Sequence, residues 1–310
     1  QGIDGAQRGA KEGQCPVGQL APLGRQAAHQ GDHTEAERLA GAGLASLSAS
    51  SLAWLASFTG CGGRRATEQF SRLSRSDRRV LADLHARVDN LLTVLSHNGL
   101  LKALERGEAC LMIIGDAVHS ERDGELDRMD DSMLIMDLIF RLKLRFPEHF
   151  FYLRGNHDSF SEEIAKGGIP QGLLWARALK EVRGKNYHRA MQAYYDQLPY
   201  VAASTRFAAV HAAPPRSKVS AEMLVDIQRY PGLIPELISN RMTRPNRPGG
   251  YTKGDLRRFR KALKLLHRDV ELVLVCRAGV RSAREPRWKL TTLDRYLVLA
   301  SYCGVPGTAC

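Results

Sequence analysis

Four short apolar runs in the middle of this chain each end directly in polar side chains that can bind metal or transfer protons. From Arg78 onward such runs alternate with helical patterns, which is the signature of an α/β domain. In open α/β sheets ligands collect beyond the carboxyl ends of the strands, so four independent runs deliver these side chains to one region. The polar ends read Asp83-Leu84-His85, Gly115-Asp116, Gly155-Asn156-His157-Asp158 and His211.

The same alternation predicts the individual elements and their order. Strands are expected over residues 80–82, 110–114, 150–153, 207–210, 270–275 and 296–300. Helices are expected over residues 88–96, 132–145, 173–182, 187–197 and 255–267. We therefore place one catalytic domain in residues 71–310. Its last segment, 276–310, has little strand or helix period apart from 296–300, as expected of a diverged segment or of a disrupted reading frame.

Residues 1–70 differ from the rest of the chain in composition. They are rich in Gly, Ala, Ser and Gln and have no sustained period, so we expect a poorly ordered N-terminal extension. The longest uncharged stretch, 44–61, is diluted by Ser and Thr, and no apolar core of a secretory signal precedes it. The sequence therefore predicts a cytoplasmic protein with no membrane partner.

The formal net charge of +12 at pH 7 suits an anionic substrate. The basic residues are spread over the whole chain, without the interleaved aromatic side chains that stack on bases, so a nucleic-acid partner is disfavoured. The six cysteines show no CxxC spacing, and the sequence therefore indicates neither a zinc knuckle nor a disulfide framework.

Each motif has a structural reading when it is taken singly. Asp83 and His85 can form a hydrogen-bonded cap, Gly115-Asp116 can open a turn, and His211 can be a satisfied buried histidine. A hydrophobic core, however, does not need four strands in a row to end in polar groups. The joint pattern favours a functional site.

The donor types at these positions indicate a class of metal. Carboxylate, amide and imidazole groups without a thiolate are typical ligands of manganese, iron or zinc. Two such divalent ions about 3.5–4 Å apart can clamp a phosphoryl group and lower the pKa of a bridging water to near neutrality. A carboxylate must then contact both ions, and Asp116 is the natural bridge because it lies between the Asp83 motif and the later donors.

The order of these motifs resembles the calcineurin-like metallophosphoesterases. Within that family, segment 146–157, which reads Phe-Pro-Glu-His-Phe-Phe-Tyr-Leu-Arg-Gly-Asn-His, is closest to the serine/threonine phosphoprotein phosphatases. The resemblance covers about residues 81–275. It implies an α/β fold in which two mixed β-sheets form a sandwich flanked by helices, with two divalent metal ions as cofactors.

Carried over position by position, the resemblance implies a role for each polar residue. His157 would be the general acid that protonates the leaving alkoxide while a metal-bound hydroxide attacks phosphorus. Arg247 matches an arginine that binds phosphate oxygens in these phosphatases. The metal ligands would be Asp83, His85 and Asp116 for one ion, and Asp116, Asn156 and His211 for the other.

The chain departs from the family pattern at two places. The family usually reads Gly-Asp-x-Val-Asp-Arg-Gly, but here His119 stands where the second Asp orients the catalytic histidine. The phosphate-binding Arg of that motif is also replaced, and Arg122 is its candidate substitute. A further metal-binding histidine is expected after the strand ending at Val275, where the chain has Gly279. We therefore expect a weakened second metal site rather than a lost one.

Three functions fit this sequence. The leading hypothesis is a serine/threonine protein phosphatase-like enzyme that hydrolyses phosphomonoesters, with a phosphorylated protein or a small phosphoester as substrate. The alternative enzyme is a nucleotide or dinucleoside polyphosphate hydrolase, and the alternative non-enzyme is a phosphoesterase-like scaffold that has lost turnover. We also expect the insertion over 161–197 to pack into the core rather than to cover the site as a cap, and to influence substrate selectivity.

Overall fold

A computed structural model describes residues 77–204, 206–212, 214–241, 249–266, 270–276, 288–290 and 296–299. The predicted N-terminal extension and most of segment 276–310 lie outside these residues. The strands are β1 (Asp77–Leu81), β2 (Ala109–Ile113), β3 (Phe150–Tyr152), β4 (Val201–Ala203), β5 (Phe207–Val210), β6 (Leu272–Cys276), β7 (Trp288–Leu290) and β8 (Tyr296–Leu299).

The helices lie between these strands, as the alternating sequence pattern predicts. They are α1 (Val88–Ser96), α2 (Leu100–Glu105), α3 (Asp130–Arg145), α4 (Gln171–Val182), α5 (Lys185–Gln197), α6 (Ala221–Val225), α7 (Ile234–Ser239) and α8 (Lys253–Leu266). In the described part of the chain, no helix is long and apolar enough to span a bilayer.

Two sheets form the centre of the fold. The first has the strand order β1-β2-β3 and is parallel throughout. The second has the order β4-β5-β6-β8-β7 and is mixed, because β5, β6 and β8 run parallel while β4 and β7 are antiparallel edge strands. The prediction of an α/β sandwich of two sheets flanked by helices is confirmed, although in the described residues the first sheet is parallel rather than mixed.

The hydrophobic core has three clusters of buried residues, and strand β2 contributes to two of them. All five of its residues are buried, as a strand covered on both faces requires. Leu111 and Ile113 pack under helices α1, α3, α4 and α5, whereas Cys110 and Met112 face the second sheet. A separate cluster lies between the second sheet and helices α6, α7 and α8, with Phe259 at its centre. The sandwich interior therefore lies between two helical layers.

The predicted insertion over 161–197 forms helices α4 and α5. Trp175, Tyr187, Met191 and Tyr194 of these helices are buried in the same cluster as the first sheet. The core-packing expectation for this insertion is confirmed, although its first residues reach the candidate site described below.

The sequence-based bounds agree with the structure for 88–96 and 207–210, and differ by one or two residues at most other ends. Strand β4 and helices α2, α6 and α7 were not predicted, because each has only three to six residues and shows no extended period. The expectation of little further strand within 276–310 is wrong for β7, which pairs with β8.

Candidate metal centre and active site

The carboxyl ends of four strands converge at one edge of the sandwich. Leu81, Ile113 and Tyr152 are register partners at the ends of β1, β2 and β3, so the loops that follow them lie side by side. Val210 at the end of β5 pairs with Val275 of β6 in the second sheet. The polar residues that follow these strands are therefore brought together, as the sequence predicts.

The loops after β1 and β2 are locked together by backbone hydrogen bonds. The amides of Leu84 and His85 both donate to the Asp116 carbonyl, at 3.0 and 2.9 Å. The backbone φ angle is positive at three residues of these loops, a conformation that residues other than glycine seldom adopt. The values are +44° at His85, +54° at Asp116 and +68° at His119. Such backbone strain persists only where the surrounding structure holds it, and it concentrates at functional sites.

A first group of donors lies beyond the carboxyl ends of β1 and β2. Asp83 Oδ2 lies 3.8 Å from His85 Nε2, and ligand atoms of Asp83, His85 and Asp116 all lie within 4.8 Å of one another. All three residues are buried. Carboxylates removed from water need a positive charge nearby, so this donor set fits a divalent cation.

A second group of donors meets at the imidazole of His211. Its Nδ1 lies 2.8 Å from the Ile114 carbonyl, which fixes the N–H on that side. Its Nε2 lies 3.2 Å from Asp116 Oδ2 and 3.1 Å from the side-chain oxygen of Asn156. With the amide of Asn156 turned the other way, its nitrogen donates to His211 Nε2 at 3.1 Å and to Asp116 Oδ2 at 3.3 Å, so the three groups satisfy one another. In the first orientation the amide oxygen, the imidazole nitrogen and the carboxylate form a donor set that fits a divalent ion.

The pKa values of His211 and Asp116 show that each residue stabilises the charged form of the other. Burial alone would lower the pKa of His211, but the carboxylates of Asp116 and Asp83 outweigh it and raise the value to about 9. Burial would likewise raise the pKa of Asp116, but His211, His157 and His85 hold it well below its usual range. Asp116 is therefore an ionised carboxylate shared by both donor groups.

His157 lies beside the first donor group and is paired with His119. The two Nδ1 atoms are 3.1 Å apart, so one ring donates to the other, and the His157 backbone amide donates to Asp116 Oδ1 at 2.7 Å. Burial lowers the pKa of both imidazoles, and the effect is larger for His119 because His157 acts on it as well. The expected contact between His119 and His157 is present, with a neutral His119.

Asp158 holds the loops after β2 and β3 in place. Its Oδ2 accepts hydrogen bonds from the amides of Gly155 at 2.7 Å and Asp116 at 3.3 Å. The Tyr152 hydroxyl donates to Oδ1 at 2.7 Å. Burial and the nearby Asp116 raise the pKa of Asp158 to about 6. The last residue of the Gly-Asn-His-Asp motif is thus a structural hub rather than a donor to the centre.

The residues expected to bind phosphate do not join these groups within the described residues. Arg122 contacts Asp89 Oδ1 at 3.6 Å and Glu125 Oε2 at 3.4 Å, so its guanidinium is directed towards two carboxylates of its own surroundings. Arg247 lies outside the described residues, as does Gly279.

The sequence-based donor set left out Cys276, the last residue of β6. Its Sγ accepts a hydrogen bond from the Asp83 amide at 2.7 Å and donates to Asp83 Oδ1. Burial and the Asp83 carboxylate raise the pKa of this thiol well above its usual value. The sequence-based interpretation expected ligands without a thiolate and did not consider a thiol beside Asp83. The signal was the position of Cys276 at the end of a strand.

Glu121 and Lys166 were also missed by the sequence-based interpretation. Glu121 Oε1 lies 3.7 Å from His85 Nε2, and Glu121 Oε2 lies 2.8 Å from Lys166 Nζ. His85 and Lys166 hold the pKa of Glu121 below its usual value although burial would raise it. No local pattern could have indicated the Glu121–Lys166 contact, because it joins two loops far apart in sequence.

Gly155 has no room for a side chain. A Cβ added there would lie 2.1 Å from Asp116 Oδ1 and 2.7 Å from the Asp116 amide. We expect Gly155→Ala to cost about 1–3 kcal/mol through overpacking, which lowers the melting temperature by several degrees in a domain of this size, and to weaken metal binding. Thermal unfolding monitored by circular dichroism measures the change.

The matched control is Gly232→Ala, because a Cβ at Gly232 meets no heavy atom within 4 Å. A Gly155→Ala protein with the melting temperature and metal affinity of the control would contradict this account of the loop.

Comparison with known proteins identifies the family and the fold of this chain. The sequence model of the calcineurin-like phosphoesterase family matches residues 79–274. The structure is similar to a protein serine/threonine phosphatase from Saccharomyces cerevisiae with similarity to human phosphatase PP5, with 16% sequence identity and a TM-score of 0.58 over 82% of this chain and 77% of that chain.

A second similarity, to a cold-active protein-tyrosine phosphatase of a Shewanella species, has 12% identity and a TM-score of 0.41 over 74% of this chain and 75% of that chain. The yeast structure shares the fold, and the matched segment contains every strand end that contributes to the two donor groups. The chain therefore belongs to the calcineurin-like phosphoesterase family.

Proposed function

We propose that this protein is a metal-dependent phosphomonoesterase of the serine/threonine protein phosphatase type. One observation carries the proposal: the two donor groups share the Asp116 carboxylate, with Asp83 and His85 on one side and Asn156 and His211 on the other. A shared carboxylate between two oxygen- and nitrogen-donor groups is the arrangement that a pair of divalent ions such as manganese, iron or zinc requires.

The residues around the shared carboxylate have separable tasks in this proposal. Bound divalent ions would supply Lewis-acid charge to the phosphoryl oxygens and increase the acidity of water in the site. His157 delivers a proton to the leaving oxygen, and His119 orients its ring through the contact between the Nδ1 atoms. Asp116 fixes the backbone of His157 by accepting its amide hydrogen bond.

His119 distinguishes this site from one with an aspartate at that position. A neutral imidazole can orient His157 but adds no negative charge to stabilise the protonated ring. Because burial already lowers the pKa of His157, its protonated form is less populated at neutral pH than it would be beside a carboxylate. We expect turnover to increase towards mildly acidic pH as long as the metal ions stay bound.

The proposal is tested by adding manganese to the purified protein and measuring hydrolysis of an aryl phosphate, a phosphoserine peptide and a dinucleoside polyphosphate. We expect the protein to hydrolyse the aryl phosphate and the phosphoserine peptide, and to prefer both strongly to the dinucleoside polyphosphate. A preference for the dinucleoside polyphosphate would assign the alternative hydrolase function. Phosphopeptide binding without hydrolysis at any metal concentration would assign a scaffold.

Cys276 supports Asp83 in this proposal without binding an ion itself. The thiol contacts Oδ1 of Asp83, whereas Oδ2 faces His85. Ligand atoms of Asp83, His211 and Cys276 lie within 4.8 Å of one another, but His211 Nδ1 is already bonded to the Ile114 carbonyl. These three residues are therefore not a coordination set, and the thiol acts by orienting the carboxylate.

We expect Cys276→Ala to weaken metal binding about 10- to 100-fold, the usual cost of losing a group that orients a ligand. Cys276→Ser keeps a hydrogen-bond donor and acceptor, so its metal affinity should fall only a few-fold. Competition with a fluorescent chelator measures both affinities. A near-ultraviolet sulfur-to-metal charge-transfer band in the cobalt-loaded protein would show direct ligation by sulfur and contradict the positioning role.

A further inference from the structure

The site described so far is rich in negative charge, yet its proposed substrate is a phosphate dianion. Asp83, Asp116 and Glu121 place three carboxylates around His85. Bound metal ions would offset part of this charge, but a phosphoryl group also needs donors for the oxygens that do not face the ions. A basic side chain at this position would supply them.

We propose that Lys166 binds the phosphoryl oxygens of the substrate, because Ser120 stands at the motif position of the phosphate-binding arginine. Its ammonium lies 2.8 Å from Glu121 Oε2, and the other oxygen of Glu121 lies 3.7 Å from His85 Nε2. An ammonium has three donors, of which Glu121 takes one. With 40% of its side chain exposed, Lys166 is accessible to a ligand. This inference rests on the proposed phosphoesterase function.

The backbone around Lys166 fixes its position. Lys166 and Ile169 exchange two backbone hydrogen bonds of 3.1 and 2.9 Å across a two-residue turn. The turn residues, Gly167 and Gly168, have φ values of +57° and +79°, which suit glycine in this type of tight hairpin. Lys166 is therefore presented from a short hydrogen-bonded hairpin rather than from an extended loop.

Gln171 attaches this hairpin to the loop that carries Glu121. It is fully buried, and its side-chain amide donates to the carbonyls of Ser120 at 2.8 Å and Leu126 at 2.9 Å. A buried amide with two backbone acceptors on one loop holds two segments in register. The hairpin and the Glu121 loop thus form one unit facing the donor groups.

The contacts of Arg122 favour Lys166 as the phosphate ligand. Arg122 is engaged with Asp89 and Glu125, whereas Glu121 directs the lysine towards His85. A lysine is a compact charge without the planar fork of arginine, so it stabilises a phosphoryl group without imposing one bidentate orientation. We therefore expect the loss of Lys166 to weaken phosphate binding more than it lowers kcat.

The experiment measures binding of inorganic phosphate to the manganese-loaded protein by isothermal titration calorimetry. Lys166→Met should weaken phosphate binding roughly 10- to 100-fold, the size expected for one charged hydrogen bond, and Lys166→Arg should recover most of it. Lys180→Met is the matched control, because Lys180 is an exposed lysine of helix α4 in the same insertion. Manganese content, measured by elemental analysis, should be the same in all four proteins.

In steady-state assays with an aryl phosphate, Lys166→Met should raise KM more than it lowers kcat, and the control should change neither. Phosphate affinity equal to that of Lys180→Met, or a loss of affinity that follows a loss of manganese, would overturn the assignment. Absence of phosphate binding to the wild-type protein would overturn it as well. If the wild-type protein binds phosphate through Lys166 but hydrolyses no phosphoester, the proposed function fails, whereas the assignment of Lys166 to phosphate binding stands.

Discussion

Replacing His157 by alanine is expected to lower kcat for an aryl phosphate by about 10²- to 10⁴-fold, the usual contribution of a positioned general acid. The imidazole lies beside His85, with ring centroids 4.9 Å apart, and contacts His119 on its other side. Its loss removes the proton for the leaving oxygen but no donor from either metal group. Metal content should therefore be unchanged, as measured by elemental analysis beside the kinetic assay.

The control for this variant is His97→Ala, because His97 is an exposed histidine at the end of helix α1 and belongs to neither donor group. Full activity of the control with near-complete loss in His157→Ala supports the assignment. A His157→Ala enzyme that retains wild-type kcat would remove His157 from the mechanism. A variant that loses its metal as well would place His157 among the ligands.

Asp116→Asn is expected to abolish activity and to weaken both metal sites at once. The substitution keeps the shape of the side chain and removes the charge that the two donor groups share. The loss in affinity should exceed the roughly 10- to 100-fold that is typical of residues that only orient a ligand. Manganese titration followed by electron paramagnetic resonance counts the ions bound and measures their affinities.

Asp123→Asn provides the matched control, since Asp123 is an exposed carboxylate in the loop that follows Asp116. Loss of a single ion in Asp116→Asn, with the other bound at wild-type affinity, would contradict the shared role of this carboxylate. Circular dichroism spectra should overlay for the two variants, because an amide can accept the same hydrogen bond from the His157 backbone.

Much of the fold follows from local sequence pattern. Helix α1 has Leu91, Val94 and Leu95 at helical spacing, and the same three residues are buried in the structure. Helix α3 begins two residues before its predicted start, because Asp130 and Asp131 favour the first turn through the helix dipole although they carry no apolar period. Strand β4 is an edge strand of only three residues. Its extended conformation depends on pairing with β5 more than on its own sequence.

The candidate site also contains residues that local sequence pattern predicts and residues that it does not. Residues that follow predicted strands were brought together, because the carboxyl ends of neighbouring parallel strands meet. Cys276 directly follows the predicted strand, as the other donors do, and was overlooked because only carboxylate, amide and imidazole groups were considered as ligands. The Glu121–Lys166 pair depends on the Gly167-Gly168 hairpin and on the buried Gln171 amide. Such contacts depend on packing between segments, which periodicity along one segment does not reveal.

The two sheets of the sandwich contribute different members of the candidate metal centre. Asp83, His85, Asp116 and Asn156 follow strands of the first sheet, whereas His211 follows β5 of the second. An ion held between Asp116 and His211 would therefore link the two sheets at this edge of the sandwich. By mass action, free metal at 100 times its dissociation constant would add about 2.7 kcal/mol to the free energy of unfolding. The supply of metal in the cell would then control the lifetime of the folded protein as well as its activity.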